Sequence, residues 1–256
     1  MNWFKYSSPA TFYPLAGKLA PWFFAAAALL GVAGLYIGFV VAPTDFQQGE
    51  VYRIIFIHVP TAWMAMFIYL VMAAYALTGL VFNTRLSVMM MQALAPTGAL
   101  FTALALWTGA LWGRPTWGTY WVWDARMTST LILLFLYFGY MALDNAIEDR
   151  RRADKAGALL VLVGAVNIPI IYFSVRWWNT LHQGATLNPG SSKMASTMLT
   201  AMLIMTFACW AYAIATALVR VRAIIIEREK GAAWLSELAA PARTQADAVK
   251  VKGAAQ

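Results

Sequence analysis

Six long apolar runs constrain this chain more than any other feature of its sequence. A helix needs roughly 20 predominantly apolar residues to cross a hydrocarbon core of about 30 Å. The runs cover residues 22–41, 54–82, 94–112, 127–143, 156–173 and 194–219. The fourth is near the lower limit of length for a span. The pattern predicts an all-α fold: a polytopic membrane protein with six transmembrane helices.

The composition is that of a membrane protein and not of a soluble one. Apolar residues make up 61% of the chain and charged residues 12%, against a soluble norm of about 45–50% and about 25%. A water-soluble enzyme and a disordered chain are therefore excluded. The single cysteine, Cys209, lies in an apolar run, so neither an intrachain disulfide nor a cysteine-only metal cluster can form.

The distribution of positive charge predicts the orientation. Six spans place both termini on one side, and 14 of the 19 Lys and Arg residues fall on that side. The other side has Arg53, Arg114, Arg126, Arg176 and Lys193. Because positive residues are retained in the cytoplasm, both termini are predicted to be cytoplasmic, and the net charge of +8 needs no nucleic acid to explain it.

The same reasoning divides the chain into three parts. We expect a cytoplasmic N-terminal segment over 1–20, a six-span membrane domain over 21–226 and a cytoplasmic tail over 227–256. The tail from Gly231 onward is expected to be solvated, because it is rich in Ala and polar residues. The charged stretch 144–152 is most simply a solvated loop between spans four and five.

An outer loop over residues 112–128 carries an unusual density of aromatic side chains. Its aromatic residues are Trp112, Trp117, Tyr120, Trp121 and Trp123. Tryptophans are ordinary at membrane interfaces, but an anchoring belt needs no fixed spacing with Asp124 and Arg126. A dense indole cluster with nearby glycines suits a flat hydrophobic ligand lying against the membrane surface.

The chain has only two histidines, His58 and His182, and both are predicted at this outer side. The simplest interpretation of either histidine alone is a polar residue that is hydrogen-bonded at a membrane interface. Together they fit another chemistry, because two imidazoles are a common axial pair for haem iron and histidine at membrane depth is costly without a function. The cations of Arg53, Arg126 and Arg176 would suit the two propionates of a haem, unless they only reach to lipid headgroups.

Three stretches carry a resemblance to a known family. Trp117-Gly-Thr-Tyr-Trp-Val-Trp-Asp-Ala-Arg-Met-Thr resembles the tryptophan-rich WWD signature of the haem-handling proteins of cytochrome c maturation. Phe56-Ile-His-Val-Pro, Trp177-Trp-Asn-Thr-Leu-His-Gln-Gly and the short six-span layout narrow the resemblance to the CcmC family. It covers about residues 21–226.

The resemblance implies a set of cofactor-binding residues. His58 and His182 are implied to be the axial ligands of the haem iron. A platform that presents the haem is implied for Trp117, Trp121, Trp123 and Asp124, with Arg53 and Arg126 at the haem edge. Trp112 is also expected to bind the cofactor. Asp124 is expected to fix the loop or to contact an acceptor, so that its loss should spare haem on this chain and reduce haem on the acceptor.

The function implied by the resemblance is haem delivery. Haem b would be held at the periplasmic face of the bacterial inner membrane and loaded onto the haem chaperone CcmE, within an ABC-type complex that also contains CcmA, CcmB and CcmD. The chain has no Gly-x-x-x-x-Gly-Lys-Ser/Thr loop, so ATP hydrolysis would belong to a partner. The chain itself is predicted not to be an enzyme.

Two other functions remain open from the sequence. A haem transporter or permease subunit predicts ionisable or liganding groups at mid-membrane depth, and the span interiors contain few. A membrane cytochrome b that carries electrons would hold its haem permanently. Haem that washes out, or whose presence depends on an acceptor, would favour delivery.

Overall fold

The fold is all-α, as predicted. The structure is a computed structural model that describes residues 5–182, 187–188, 191–192 and 194–237. Its helices are α1 (Pro9–Tyr36), α2 (Ile55–Phe82), α3 (Arg85–Trp117), α4 (Ala125–Ala146), α5 (Arg150–Gly164), α6 (Asn167–Trp177) and α7 (Ser196–Arg228). A π-helical turn, Ile37–Val41, extends α1, a 3₁₀ turn, Glu50–Ile54, precedes α2, and two-residue strands β1 (Leu187–Asn188) and β2 (Ser191–Ser192) pair antiparallel.

Six helical segments are long and apolar enough to cross a membrane, which confirms a multi-pass membrane protein. They are Pro9–Val41, Glu50–Phe82, Arg85–Trp117, Ala125–Ala146, Arg150–Trp177 and Ser196–Arg228. Most extend beyond the predicted runs, because apolar length marks only the part of a helix inside the hydrocarbon. The largest difference is at α1, which begins at Pro9 rather than near residue 22 and contains Pro14 and Pro21 within the helix.

The fifth span is broken in the middle, which the apolar pattern did not predict. Helix α5 ends at Gly164 and α6 begins at Asn167. Pro169 has no N–H and cannot bond to the carbonyl of Ala165, which instead accepts from the N–H of Ile168 at 3.1 Å. The side chain of Asn167 donates to the Ser129 carbonyl at 2.8 Å and fastens the break to α4.

Buried tyrosines fill the centre of the bundle between α2, α3, α4 and α5. The ring of Tyr69 meets that of Tyr137 edge to face with centroids 5.1 Å apart, and the Tyr137 hydroxyl donates to the Ala65 carbonyl at 2.8 Å. Gly98 leaves room for Tyr137, since a Cβ there would collide with its ring. This packing fixes the relative positions of α2 and α4, two of the helices that build the candidate site.

The charged stretch 144–152 is mostly exposed, as predicted, but its first residue is buried. Asp144 is only 4% exposed; its carboxylate lies 2.7 Å from Arg150 and accepts from Gln92 at 2.9 Å. Arg228, at the end of α7, pairs with Asp154 at 3.0 Å. These contacts follow from burial, since a buried charge is strongly destabilising unless it is paired.

Two further boundaries differ from those that the sequence predicts. Within the predicted loop 112–128, only residues 118–124 lie outside helices. Helix α3 ends at Trp117, the next residue, Gly118, has a φ of 84° that suits glycine, and α4 begins after Asp124. In the tail, Trp234 packs against Tyr13 with ring centroids 6.0 Å apart, so the solvated part cannot begin at Gly231. Residues 238–256 of the predicted tail lie outside the described residues.

Site-directed labelling tests the predicted orientation. With Cys209→Ala as background, we expect Tyr120→Cys to react with a membrane-impermeant maleimide on intact spheroplasts and Arg152→Cys to react only after permeabilisation. Both side chains are exposed, and Arg152→Cys removes only one of the 14 positive charges that should keep its side in the cytoplasm. Labelling of both positions on intact spheroplasts would contradict the orientation.

Candidate functional site

One pocket brings together both histidines of the chain. It lies at one end of the bundle, where α2, α3 and α4 meet the segment that follows α6. Its cavity measures about 70 Å³ and is partly open to the surroundings. We call it the histidine pocket. Its lining comprises His58, Ala62, Ala65, Met66, Ala105, Leu106, Gly109, Trp112, Trp117, Arg126, Met127, Thr130, Leu133, Ile171, Leu181 and His182.

His58 is held tightly by α3. Its Nδ1 lies 3.0 Å from the hydroxyl of Thr108, and its ring meets Trp112 edge to face at 5.7 Å. A Cβ at Gly109 would lie 3.0 Å from Cε1 of the imidazole, so glycine lets the ring lie close to α3 without crowding. One helix thus supplies a hydrogen bond, an aromatic contact and the space for the imidazole.

His182 lies in a non-helical segment rather than on a helix. The segment follows the end of α6 at Trp177, and the backbone N–H of His182 donates to the Thr180 carbonyl at 2.9 Å. Its neighbour Leu181 also lines the histidine pocket. The carboxylate of Asp124 is one of the groups that contact this segment.

Asp124 joins the two parts of the site that the sequence separates. Its Oδ1 accepts from the N–H of Met127 at 2.8 Å and so caps the first turn of α4. Its Oδ2 accepts from the N–H of Leu181 at 3.0 Å, next to His182. The expected loop-fixing role agrees with this geometry. That losing Asp124 spares haem on this chain stays a prediction, and the bond to Leu181 gives a reason to test it, because this bond positions the segment that carries His182.

The four predicted tryptophans divide into two pairs. Trp112 and Trp117 line the histidine pocket with ring centroids 6.0 Å apart; Trp112 is 4% exposed, and its indole N–H donates to Gln48 at 2.8 Å. Trp121 and Trp123 meet edge to face at 5.3 Å on the short loop 118–124 and are not part of the pocket lining. Trp123 is 75% exposed.

The three candidate arginines also differ in position. Arg126 lines the histidine pocket and donates to the Ile171 carbonyl at 3.2 Å, and within the described residues no carboxylate lies within 4 Å of it. Arg53 lies elsewhere, where it donates to the Gly38 carbonyl at 2.6 Å and pairs with Glu50. Arg176 is exposed. Of the three cations, only Arg126 is placed to meet an anion in the pocket.

Sequence reasoning missed the residues that support the histidines. Thr108 lies one helical turn before Trp112 on α3, so the sequence spacing places both side chains on one face of the helix. The spacing does not show that the Thr108 hydroxyl contacts His58. Gln48 comes from the connection between α1 and α2 and reaches Trp112 across 64 positions of sequence. No local pattern predicts a contact of that kind.

Comparison with known proteins confirms the resemblance. A family model described as CcmC, heme exporter protein C, matches residues 2–236. The chain is 46% identical over 230 residues to heme exporter protein C of Escherichia coli K12, covering 90% of this chain and 93% of that protein. It is 50% identical over 203 residues to heme exporter protein C of Bradyrhizobium diazoefficiens, covering 79% and 77%. A putative cytochrome c biosynthesis ccmC-like mitochondrial protein of Marchantia polymorpha is 44% identical over 170 residues, covering 66% of this chain and 72% of that protein.

Replacing Asp124 should release the segment that carries His182. Asparagine has one acceptor oxygen and is also a good N-cap, so Asp124→Asn should keep the bond to Met127 and lose the bond to Leu181. We expect faster hydrogen exchange at the Leu181 amide, by about tenfold or more, since a hydrogen bond to a charged group contributes about 1.5–3 kcal/mol.

Asp124→Ala provides the comparison. It should free Leu181 to the same extent and also loosen the start of α4, because losing an N-cap costs about 1 kcal/mol. Unchanged protection of Leu181 in both variants would show that Asp124 does not hold the segment.

Proposed function

Because the chain belongs to the CcmC family of heme exporter protein C, we propose that it binds haem b in the histidine pocket and delivers it to the haem chaperone CcmE during cytochrome c maturation. The chain acts as a haem-handling membrane protein and not as an enzyme. Haem is its cargo, so the site must hold the porphyrin and also let it go.

The observation that carries this proposal is the meeting of His58 and His182 at one pocket. The two residues are far apart in sequence, yet both line the same cavity. Two neutral imidazoles are well suited to the two axial positions of haem iron. Single histidines at unrelated interfaces would have no reason to converge.

The rest of the lining suits a porphyrin. Apolar side chains from three helices, among them Met66, Leu106 and Leu133, provide a hydrophobic wall, and ligand pockets of this kind combine apolar lining with a few placed polar groups. Arg126 supplies a cation that has no carboxylate partner among the described residues, and a haem propionate is the anion that we assign to it. Arg53 is not assigned a contact with haem, since its guanidinium is occupied by Gly38 and Glu50.

The loop 118–124 is proposed to be the surface that meets the acceptor. Tyr120 and Trp123 are exposed there, and the buried indole N–H of Trp121 has no hydrogen-bond partner within the described part of the chain. Aromatic residues are typical of the energetically important positions in protein interfaces. In this arrangement Trp112 and Trp117 contact the haem, while Trp121 and Trp123 contact the haem edge or CcmE.

The proposed location is the bacterial inner membrane, with the histidine pocket at its periplasmic face. The support is the charge count, because the end of the bundle that carries the pocket is the one with only five of the 19 Lys and Arg residues. We further propose that CcmA, CcmB and CcmD form an ABC-type complex with this chain and that the complex, rather than this chain, hydrolyses ATP.

Delivery is favoured over transport by what lies beneath the pocket. Ala65 and Leu133, which line the pocket, belong to the same buried core as Tyr69 and Tyr137. A conducting path for haem would need a continuous cavity with polar or liganding groups at this depth, whereas tightly packed aromatic rings fill it. The histidine pocket is therefore better suited to holding haem at one face than to conducting it.

Ligand substitution tests the proposal directly. Purified wild-type protein should carry low-spin haem, and His58→Gly or His182→Gly should each reduce the haem retained after washing by about tenfold or more, since about 1.4 kcal/mol of lost binding is already tenfold. External imidazole should restore the low-spin spectrum in each single variant. The proposal fails if both variants keep the wild-type spectrum without added imidazole.

A further inference from the structure

The imidazole of His58 meets the hydroxyl of a buried threonine on the neighbouring helix. Nδ1 lies 3.0 Å from Oγ1 of Thr108, and Thr108 is almost fully buried within α3. A neutral imidazole has one nitrogen that donates and one that accepts, and a hydroxyl has a single proton to donate. The direction of this hydrogen bond therefore decides which tautomer His58 adopts.

The proton of the Thr108 hydroxyl already has an acceptor in its own helix. Oγ1 lies 2.6 Å from the carbonyl oxygen of Leu104, one turn earlier, and 3.3 Å from that of Ala105. Because the bond to Leu104 is the shortest that the hydroxyl makes, it takes the single proton. The hydroxyl is then left with only its acceptor lone pairs for His58.

The imidazole must therefore donate from Nδ1. With the proton on Nδ1, the lone pair that can bind a metal is on Nε2. Trp112 and Gly109 limit the ring to this position by an edge contact and by a close approach.

We propose that Thr108 is a positioning residue for haem ligation: its hydroxyl fixes the tautomer and orientation of His58 so that Nε2 binds the haem iron. This inference rests on the proposed function, because it assigns Thr108 a role toward haem held in the histidine pocket. A hydrogen bond to the second nitrogen of a ligating histidine orients the ring and raises its basicity, and losing such a bond typically weakens metal binding by about 10- to 100-fold.

Substitutions at Thr108 separate positioning from packing. Thr108→Val removes the hydroxyl at nearly constant volume, whereas Thr108→Ser keeps the hydroxyl. Thr102→Val is the matched control, since Thr102 is also fully buried in α3 but its hydroxyl donates only to its own helix, at the Gly98 carbonyl 2.7 Å away.

The readouts are the haem retained after washing and the reduction potential of the bound haem. We expect Thr108→Val to lose haem about 10-fold or more and to raise the potential of what remains, because a less basic imidazole stabilises ferric iron less. Thr108→Ser should restore both values toward wild type, and Thr102→Val should leave both unchanged. Equal values for Thr108→Val and wild type would overturn the inference.

A measurement on the wild-type protein makes the test independent of how the variants fold. The chain has two histidines, so ¹⁵N-histidine labelling with His182→Ala for assignment identifies the ring nitrogens of His58. In haem-free protein at mildly alkaline pH, where an unperturbed imidazole is neutral, we expect the proton on Nδ1. A proton on Nε2 instead would overturn the inference.

The same experiments distinguish failure of this inference from failure of the proposed function. Haem that is lost in the histidine variants but retained fully in Thr108→Val leaves the proposed function intact and removes the role of Thr108. Haem that is retained fully in a double His58→Gly, His182→Gly variant contradicts the proposed function, and with it any role of Thr108 toward haem.

Discussion

The lack of water in the hydrocarbon core governs this structure, because every polar group placed there must find a partner within the chain. Several buried hydroxyls follow this rule: Tyr137 donates to the Ala65 carbonyl, and Thr97 and Thr216 meet at 3.0 Å between α3 and α7. The hydroxyls of Tyr69 and Tyr140 are exceptions, since neither has a hydrogen-bond partner among the described residues. The same constraint accounts for the broken fifth span, where the amide of Asn167 compensates for the irregular backbone by bonding to α4. Polar residues inside the bundle therefore act as cross-links between helices.

In the histidine pocket, the need of buried polar groups for hydrogen-bond partners positions a functional side chain instead of only joining helices. Thr108 satisfies its own hydroxyl proton within α3 and is left with lone pairs that only a donor can use. His58 is the donor that the fold places there. The need of a buried hydroxyl for hydrogen-bond partners elsewhere stabilises the bundle. Here it also determines which nitrogen of His58, a proposed ligand of the haem iron, carries the proton.

The sequence predicts the parts of this protein that depend on composition and local motif. The six apolar runs are sufficient to predict the six spans. The two histidines on either side of a tryptophan-rich stretch are sufficient to suggest a candidate haem site. The remaining features depend on contacts between distant residues. No local sequence pattern predicts these contacts. Gln48 accepts from the indole of Trp112, and Asp124 accepts from the backbone N–H of Leu181. Arg53 bonds to Glu50 and to the Gly38 carbonyl rather than facing the histidine pocket.

The burial of Asp144, in the otherwise exposed stretch 144–152, was not predicted for a related reason. Charges next to a span usually indicate a solvated loop, yet the end of α7 reaches this stretch and brings Arg228 within 3.8 Å of Asp144. The pairing depends on how long α7 continues past its apolar part, and hydropathy does not report that length. Composition determines where the chain enters the membrane, while helix length and tertiary contacts determine which charges are buried.

The two proposed ligands are held by different kinds of structure, and the proposed delivery of haem would use that difference. His58 lies on a long helix, hydrogen-bonded to a buried threonine and enclosed by Trp112 and Gly109. His182 lies on a short non-helical segment that Asp124 fastens through the N–H of Leu181. Segments outside packed helices open at lower free energy than packed helices, so under the proposed function we expect His182 to release haem before His58. Asp124 also ends the loop 118–124, which we propose as the acceptor surface. A partner that binds this loop would act on the carboxylate that bonds to Leu181, and acceptor recognition would thereby be linked to release of the haem.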